Sequence, residues 1–426
     1  MAINRRQFLR RSAITAVGLG FGSPLLERVA WGRAPRGARG SLSNKVIVTL
    51  NLYGGNDGMN TVIPLNQYAR YRELRPRIGI DQDKVLALAN APDFGLNPGM
   101  TALHDLYGRG KVAIINGVGL PADARGLFDH EASQYVFQTA DVSESSFTTV
   151  PTGWVGRYLD TETAGVVSPG VDLGGGNLML TGQTREALTI SSIDQFQVQP
   201  SFDGDARLAA YTDIMNVPNP AGGVAERNRQ VRKEAIVQSE IVRERTAGYA
   251  PAVTYPADNY LAQTLLQTAE LISADLGIRA IAVGTDGYDT HSAQNDGATD
   301  TELGYHDYLL NTVSEAVSAF YADLEAHGLA NDVMIVTLSE FGRRPEENND
   351  EGTDHGFGSV GFVIGGAVRG GVYGGYASLA EESLVLDGNI DVTTDFRSVY
   401  ATVLAGFFDS DPAPVLGGSF PLLGFL

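Results

Sequence analysis

The sequence predicts an α/β protein built on a mostly parallel sheet with both faces covered. Three observations predict it. Short apolar runs rich in β-branched residues, at 45–52, 112–115, 280–285, 334–338 and 360–364, are bounded by glycines and polar clusters, the pattern of strands buried on both faces. Between two of them, apolar residues recur at helical spacing, so strand, helix and strand follow one another as a crossover unit. Finally, 426 residues that are 43% hydrophobic and 19% charged are enough to bury one large core or two ordinary ones.

Taken in order, the chain starts with Asn4-Arg5-Arg6-Gln7-Phe8-Leu9-Arg10 and an apolar stretch over 13–26. A positive region before a short apolar segment reads as an export signal, and it is too short to span a membrane. The Arg-Arg-x-Phe-Leu-Arg order resembles a twin-arginine signal. Residues 1–34 are therefore expected to be a signal peptide read by the twin-arginine translocase, cleaved somewhere between 29 and 41, with 35–44 as a linker. The destination is the periplasm or the exterior, reached already folded and with any metal loaded. Losing residues 1–34 removes six Arg and one Glu, which takes the net charge from −19 to about −24. Such an acidic surface argues against a nucleic-acid partner and against anionic lipid, but suits cations. Cysteine is absent, so a thiolate nucleophile or a thiolate zinc site is excluded. No later segment holds 18 uncharged apolar residues, and no membrane span is expected in the mature form.

The strand over 45–52 runs into Tyr53-Gly54-Gly55-Asn56-Asp57-Gly58-Met59-Asn60, where the glycines permit positive φ and close backbone approach. A short helix over 98–109 precedes the second buried strand. Leu127-Phe128-Asp129-His130-Glu131 then opens a helix that runs to about residue 138, with Asp129 as its N-cap. Residues 141–200 alternate short apolar runs with Gly, Ser and Thr. Residues 204–250 are helical and charged, and 141–257 as a whole reads as a peripheral, partly helical insertion. In the second half, Leu261, Leu265, Ala269, Ile272 and Leu276 mark a helix over 258–276. The 280–285 strand ends in Asp286-Gly287-Tyr288-Asp289-Thr290-His291-Ser292-Ala293-Gln294. Leu309, Val313, Val317, Phe320 and Leu324 mark the next helix. The 334–338 strand then runs into Ser339-Glu340-Phe341-Gly342-Arg343, and Asp354-His355-Gly356 stands before the last apolar run.

Loops at the carboxyl ends of strands in α/β sheets are where ligands bind. Four of these ends present Asp57, Asp289 with His291, Glu340, and Asp354 with His355. An Asp and a His separated by one residue on an extended segment point to the same side, which suits two ligands of one divalent ion or of two neighbouring ions. Mixed carboxylate and imidazole sets bind zinc or manganese. Gathered without a cation, four carboxylates would repel and raise one another's pKa. Taken singly, each Asp is equally readable as a local cap and each His as a packed ring.

Gly54-Gly55-Asn56-Asp57-Gly58, Gly287-Tyr288-Asp289-Thr290-His291, Ser339-Glu340-Phe341-Gly342-Arg343 and Gly352-Thr353-Asp354-His355-Gly356 together resemble one family. It is the exported domain-of-unknown-function family 1501, of the alkaline phosphatase/sulfatase-like superfamily. The resemblance runs from residue 45 to the end of the chain and takes in Thr394-Asp395-Phe396-Arg397-Ser398-Val399-Tyr400. It implies a three-layer α/β/α sandwich on a mixed sheet, over 45–426, with two divalent ions at strand carboxyl ends. Zinc or manganese is expected, with calcium or magnesium as alternatives. Asp57 matches the first-strand metal Asp, Asp289 and His291 resemble a second pair, and His355, beside Asp354, matches the last His before the final core strand. Glu340 stands where the superfamily usually carries Asp-His. Family members read Arg-Ser-His-Phe at the helix start, whereas this chain has Phe128-Asp129-His130-Glu131: the His is kept, Asp129 replaces the hydroxyl, and Ser133 lies a turn on. The resemblance also implies a co-encoded exported protein as a partner.

Two functional readings follow. In the first, the chain is an exported metal-dependent hydrolase of phosphate or sulfate esters. Asp57, Asp289, His291, Glu340, Asp354 and His355 would bind metal, His130 and Arg343 would be catalytic, and Asn56, Asn60 and Gln294 would contact substrate. In the second it is a non-catalytic metal-binding protein acting in binding or assembly, a reading that the missing hydroxyl favours. A structural role without metal is a third, which the clustered carboxylates oppose.

Overall fold

Each residue of the first strand is buried, and its side chains divide between two cores. Val46, Val48, Leu50 and Leu52 enter one and Ile47 the other. That alternation is what a strand with both faces covered must show. The computed structural model describes residues 44–426 except 122–123, 125–127, 143–151, 163–166, 175–177, 186, 195, 197–203, 219–221, 297–302 and 387. The expected signal peptide (1–34) and all of the expected linker except Asn44 lie outside the described residues.

β1 (Val46–Leu52) leads into the one-turn helix α1 (Gly58–Thr61). β2 (Val62–Pro64), β3 (Leu86–Ala87) and β4 (Phe94–Leu96) form a small antiparallel sheet, with α2 (Tyr68–Leu74) between the first two. Next come α3 (Thr101–Gly108), β5 (Val112–Gly119), α4 (His130–Thr139), α5 (Trp154–Leu159), β6 (Gly170–Asp172) and β7 (Leu188–Thr189). Three helices follow, α6 (Gly204–Asn216), α7 (Gly223–Thr246) and α8 (Tyr260–Ser273), before β8 (Ala280–Thr285), α9 (Tyr305–Ala326) and β9 (Val333–Leu338). The chain closes through β10 (Ser359–Gly365), β11 (Gly371–Tyr373), β12 (Thr394–Asp395), α10 (Phe396–Thr402) and α11 (Pro412–Leu416).

The main sheet has the order β11-β5-β10-β9-β1-β8-β6-β7, with β12 also pairing with β5. β1 pairs in parallel with both β8 and β9, so α9 crosses over from one neighbour of β1 to the other. Among the described strands of this sheet, β10 alone runs against the rest, antiparallel to β5 and to β9. The sheet is therefore mixed and mostly parallel, as expected. Helices α3, α8 and α9 supply one core, through Leu106, Leu265 and Phe320 among others. Helices α4, α5, α10 and α11 supply the other, where Trp154 stacks on Tyr400 with ring centroids 4.3 Å apart. Burying one such large apolar side chain contributes about 1.5–3 kcal/mol, so the two cores fix the three layers. The 141–257 stretch, expected as one peripheral insertion, divides. β6 and β7 extend the main sheet beside β8, whereas α6 and α7 are helices outside it. No helix among the described residues is long and apolar enough to cross a membrane.

This topology places the carboxyl ends of β1, β8 and β9 and the beginning of the reversed β10 along one sheet edge. The helix α4 that follows β5 is capped by Asp129, whose carboxylate accepts from the Ala132 amide at 2.8 Å. It presents His130 to the same edge.

Candidate metal centre

Three imidazoles meet at this edge. His130 comes from the first turn of α4, His291 from the loop after β8, and His355 from the segment before β10, which forms an isolated antiparallel bridge with Arg343. The Nδ1 atom of each ring has an oxygen partner. His130 Nδ1 lies 2.8 Å from Glu340 Oε1, and His355 Nδ1 lies 2.7 Å from the Phe128 carbonyl. His291 Nδ1 lies 3.4 Å from Asp354 Oδ1, a weaker contact. A carbonyl can only accept, so Nδ1 of His355 carries the hydrogen and its Nε2 offers a lone pair. The carboxylate partners of His130 and His291 select the same tautomer.

All three Nε2 atoms converge on Asp289. His291 and His355 approach Oδ1 at 3.1 and 3.2 Å, His130 approaches Oδ2 at 3.4 Å, and the Nε2 atoms of His291 and His355 are 2.9 Å apart. Two nitrogen lone pairs at that separation repel unless a cation or a proton lies between them. Four ligands about 2.0–2.2 Å from a tetrahedral ion would lie roughly 3.3–3.6 Å apart, against 2.9–3.4 Å for the four contacts above. Imidazole nitrogens and a carboxylate are a donor set suited to zinc. Within the cluster, His130, Asp289 and His355 have ligand atoms all within 4.8 Å of one another. Outer partners that fix the ring orientation are the usual companions of metal-binding histidines.

Charge is arranged to the same end. Burial works to raise the Asp289 carboxyl, but Arg343 donates to Oδ1 at 2.6 Å and holds it down at about 2. Burial holds the His355 imidazole below its ordinary value, so the ring is neutral at pH 7. The hydrogen bond from Asn348 keeps the Asp354 carboxyl below its ordinary range, with His291 adding to the effect.

The backbone is shaped around these groups. Phe128 sits at φ 68°, an uncommon conformation for a non-glycine residue, and in it the carbonyl reaches His355. Such strain costs about 1–3 kcal/mol and persists where the surroundings over-determine it. Gly54 sits at φ 121°, and a Cβ there would overlap the Asp289 amide nitrogen. Its own amide donates to Glu340 Oε1 at 2.8 Å, and its carbonyl accepts from Arg343. Gly54→Ala is therefore expected to destabilise the fold by more than the ~1–3 kcal/mol of the backbone strain alone. A urea melt of the full chain checks this, and an unchanged midpoint would contradict it.

Several predicted site residues take other places. Asp57, expected to bind metal, is fully buried, and its hydrogen bonds go to groups other than the three histidines. Its Oδ1 accepts from the Met59 and Asn60 amides, while its Oδ2 accepts from Arg75 Nη1 at 2.5 Å and Gln294 Nε2 at 2.7 Å. Glu340 and Asp354, also expected as ligands, stand behind His130 and His291. Arg343, expected to position an anion, is buried and donates to the carbonyls of Gly54, Gly55, Tyr288 and Thr353 as well as to Asp289. It is a brace for Asp289. Asn56, Asn60 and Gln294, expected to face substrate, are fully buried. The Asn56 amide bonds Thr61 and His306; that of Asn60 bonds Ile78, Tyr71 and Arg75; and that of Gln294 bonds Asp57, Thr290 and Thr353.

Sequence reasoning missed Arg75 and the Phe128 carbonyl. Arg75 is one of four arginines within residues 70–77, and no motif distinguishes it. A backbone carbonyl leaves no mark in a sequence at all.

Known structures resemble the chain at low identity. PsFucS1 sulfatase from Pseudoalteromonas sp. is 11% identical over 98% of this chain and 72% of that one, with a TM-score of 0.36. The phosphonate monoester hydrolase SpPMH from Silicibacter pomeroyi is 9% identical over 89% and 78%, with a TM-score of 0.37. The lipoteichoic acid synthase LtaP from Listeria monocytogenes is 8% identical over 85% and 73%, with a TM-score of 0.33. No curated protein matches the chain. The family described as "Protein of unknown function (DUF1501)" matches residues 127–413, which include every residue of the histidine cluster and its outer carboxylates, and the chain belongs to that family.

Proposed function

We propose that this chain is a metal-dependent hydrolase of phosphate or sulfate esters, exported by the twin-arginine pathway, with His130, Asp289, His291 and His355 holding a divalent ion. One observation carries the reading: three histidines, each with Nδ1 engaged, aim Nε2 at a single carboxylate. When bound, a divalent ion supplies an acidified water and Lewis-acid stabilisation of a transferring phosphoryl or sulfuryl group. The protein's own residues do the rest. Arg343 fixes Asp289 in its ionised form, while Glu340, Asp354 and the Phe128 carbonyl fix the ring tautomers. Arg344 is half-buried beside Asp354, and its Nε has no hydrogen-bond partner among the described residues. Its guanidinium supports the choice of an anionic ester, which it would hold by charge-assisted hydrogen bonds. Water adds to phosphorus or sulfur, the bond to the ester oxygen breaks, and the alcohol and the inorganic anion leave.

The test is turnover of aryl phosphate and aryl sulfate esters by the zinc- or manganese-loaded full chain. Release of the phenol is expected, with loss in Asp289→Ala. A loaded protein inert toward both ester classes would instead support the second reading, a non-catalytic metal-binding protein working with a co-encoded exported partner. That reading draws on Asp129, which serves as a helix cap where a hydroxyl nucleophile was expected, and on Ser133, which is fully buried.

A further inference from the structure

We infer that the centre takes one divalent ion, and that Arg75 is the permanent counter-charge that closes the position around Asp57 to a second. The inference rests on the metal-centre reading above and narrows it. Donor count is the first argument. His130, Asp289 and His355 hold their ligand atoms within 4.8 Å of one another, and His291 Nε2 adjoins Asp289 and His355, which makes one site. Glu340 and Asp354 engage imidazole Nδ1 atoms, and Asp57, the other carboxylate expected as a ligand, has no oxygen to offer. Both of its oxygens are occupied, one by two backbone amides and the other by Arg75 and Gln294.

The setting of Arg75 is the second argument. Its side chain is fully buried and every arm is fastened: Nη1 to Asp57 and to Asn60 Oδ1 at 2.7 Å, Nε to the Pro345 carbonyl at 2.9 Å, and Nη2 to the Arg344 carbonyl at 2.9 Å. A guanidinium cannot lose its proton, so a divalent ion could reach Asp57 only by displacing a cation whose hydrogen bonds hold the 344–345 backbone in place. Charge is the third. Asp289, Glu340 and Asp354 surround the histidines, Arg343 offsets one of them and Arg344 lies beside Asp354, which leaves at most two negative charges for one divalent ion to cancel. A second ion would leave an uncompensated surplus in a partly buried cleft, a costly state.

The test is zinc stoichiometry on the chelator-stripped full chain, by titration followed by elemental analysis after gel filtration. One zinc per chain is expected in the wild type and in Asp57→Asn, and none in Asp289→Asn. Two zinc ions per wild-type chain, or loss of zinc in a folded Asp57→Asn protein, would overturn the one-ion inference while leaving the centre itself standing. No zinc in the wild type would overturn the centre, and the inference with it. The wild-type count decides between these outcomes even where a variant fails to fold.

Discussion

Replacing His355 by alanine is expected to abolish stoichiometric zinc binding while the fold persists. His355 is the best-fixed of the three histidines, with Nδ1 held by the Phe128 carbonyl and Nε2 3.2 Å from Asp289 and 2.9 Å from His291. Losing an outer partner of a metal ligand typically costs about 10–100-fold in affinity. Loss of the ligand itself is expected to cost at least the upper end of that range. Glu340→Gln keeps an oxygen for His130 but removes the charge that makes the ring a stronger donor, and a loss of about 10-fold is expected. Competition against a chelator of known affinity measures both, with a thermal melt to show that each variant folds. The ordering matters more than the values: equal losses would remove the distinction between ligand and orienter, and unchanged affinity in His355→Ala would remove the centre.

The second large effect concerns stability. Arg75→Met fills similar space but leaves Asp57 buried without its cation, and breaking a buried pair in this way costs about 3–5 kcal/mol. Combining it with Asp57→Asn is expected to restore most of that loss, because an amide can still accept from the Met59 and Asn60 amides and carries no charge. Urea unfolding of the single and double variants gives the coupling, and additive losses would show that the pair does not act as one. A pH dependence follows from the same group. Burial pushes the Asp57 carboxyl up, but Arg75, with help from His306 and Gln294, holds it below its ordinary value. A carboxyl depressed in the folded state contributes stability above its unfolded pKa of about 3.9, and that contribution is lost as pH falls toward its folded value. The stability gap between wild type and Asp57→Asn is therefore expected to narrow below about pH 4. A gap constant down to pH 3 would contradict this.

Much of the framework was legible in the residues themselves. The 280–285 strand has the predicted bounds, and β1, β9 and β10 fall within a residue of theirs at each end. Their side chains are mostly apolar, and a run buried on both faces leaves little choice of structure. The helices over Leu261–Ile272 and Leu309–Leu324 were legible for the matching reason, a 3.6-residue period with one apolar face. The family was legible too, from four short motifs in order. The gathering of the candidate residues followed as well, because β1, β8 and β9 are parallel and their carboxyl ends lie along one edge.

What the residues could not decide was how the polar groups at that edge divide the work. In the sequence, Asp57, Asp289, Glu340 and Asp354 are four equivalent carboxylates at strand ends. Only the packed molecule distinguishes them, since an ionised group inside a protein is settled by whichever partner reaches it first at hydrogen-bond distance. Arg75 reaches Asp57 from a helix end that carries no motif and withdraws it from the centre. Arg343 turns inward to four backbone carbonyls and becomes a brace. Glu340 and Asp354 meet imidazole Nδ1 atoms and become orienters. Asp289 alone is left facing three Nε2 atoms. Periodicity and motif order are local properties of the chain and can be read along it. The pairing of charges depends on distances between residues as much as 210 positions apart, as for His130 and Glu340, and only the tertiary structure supplies those.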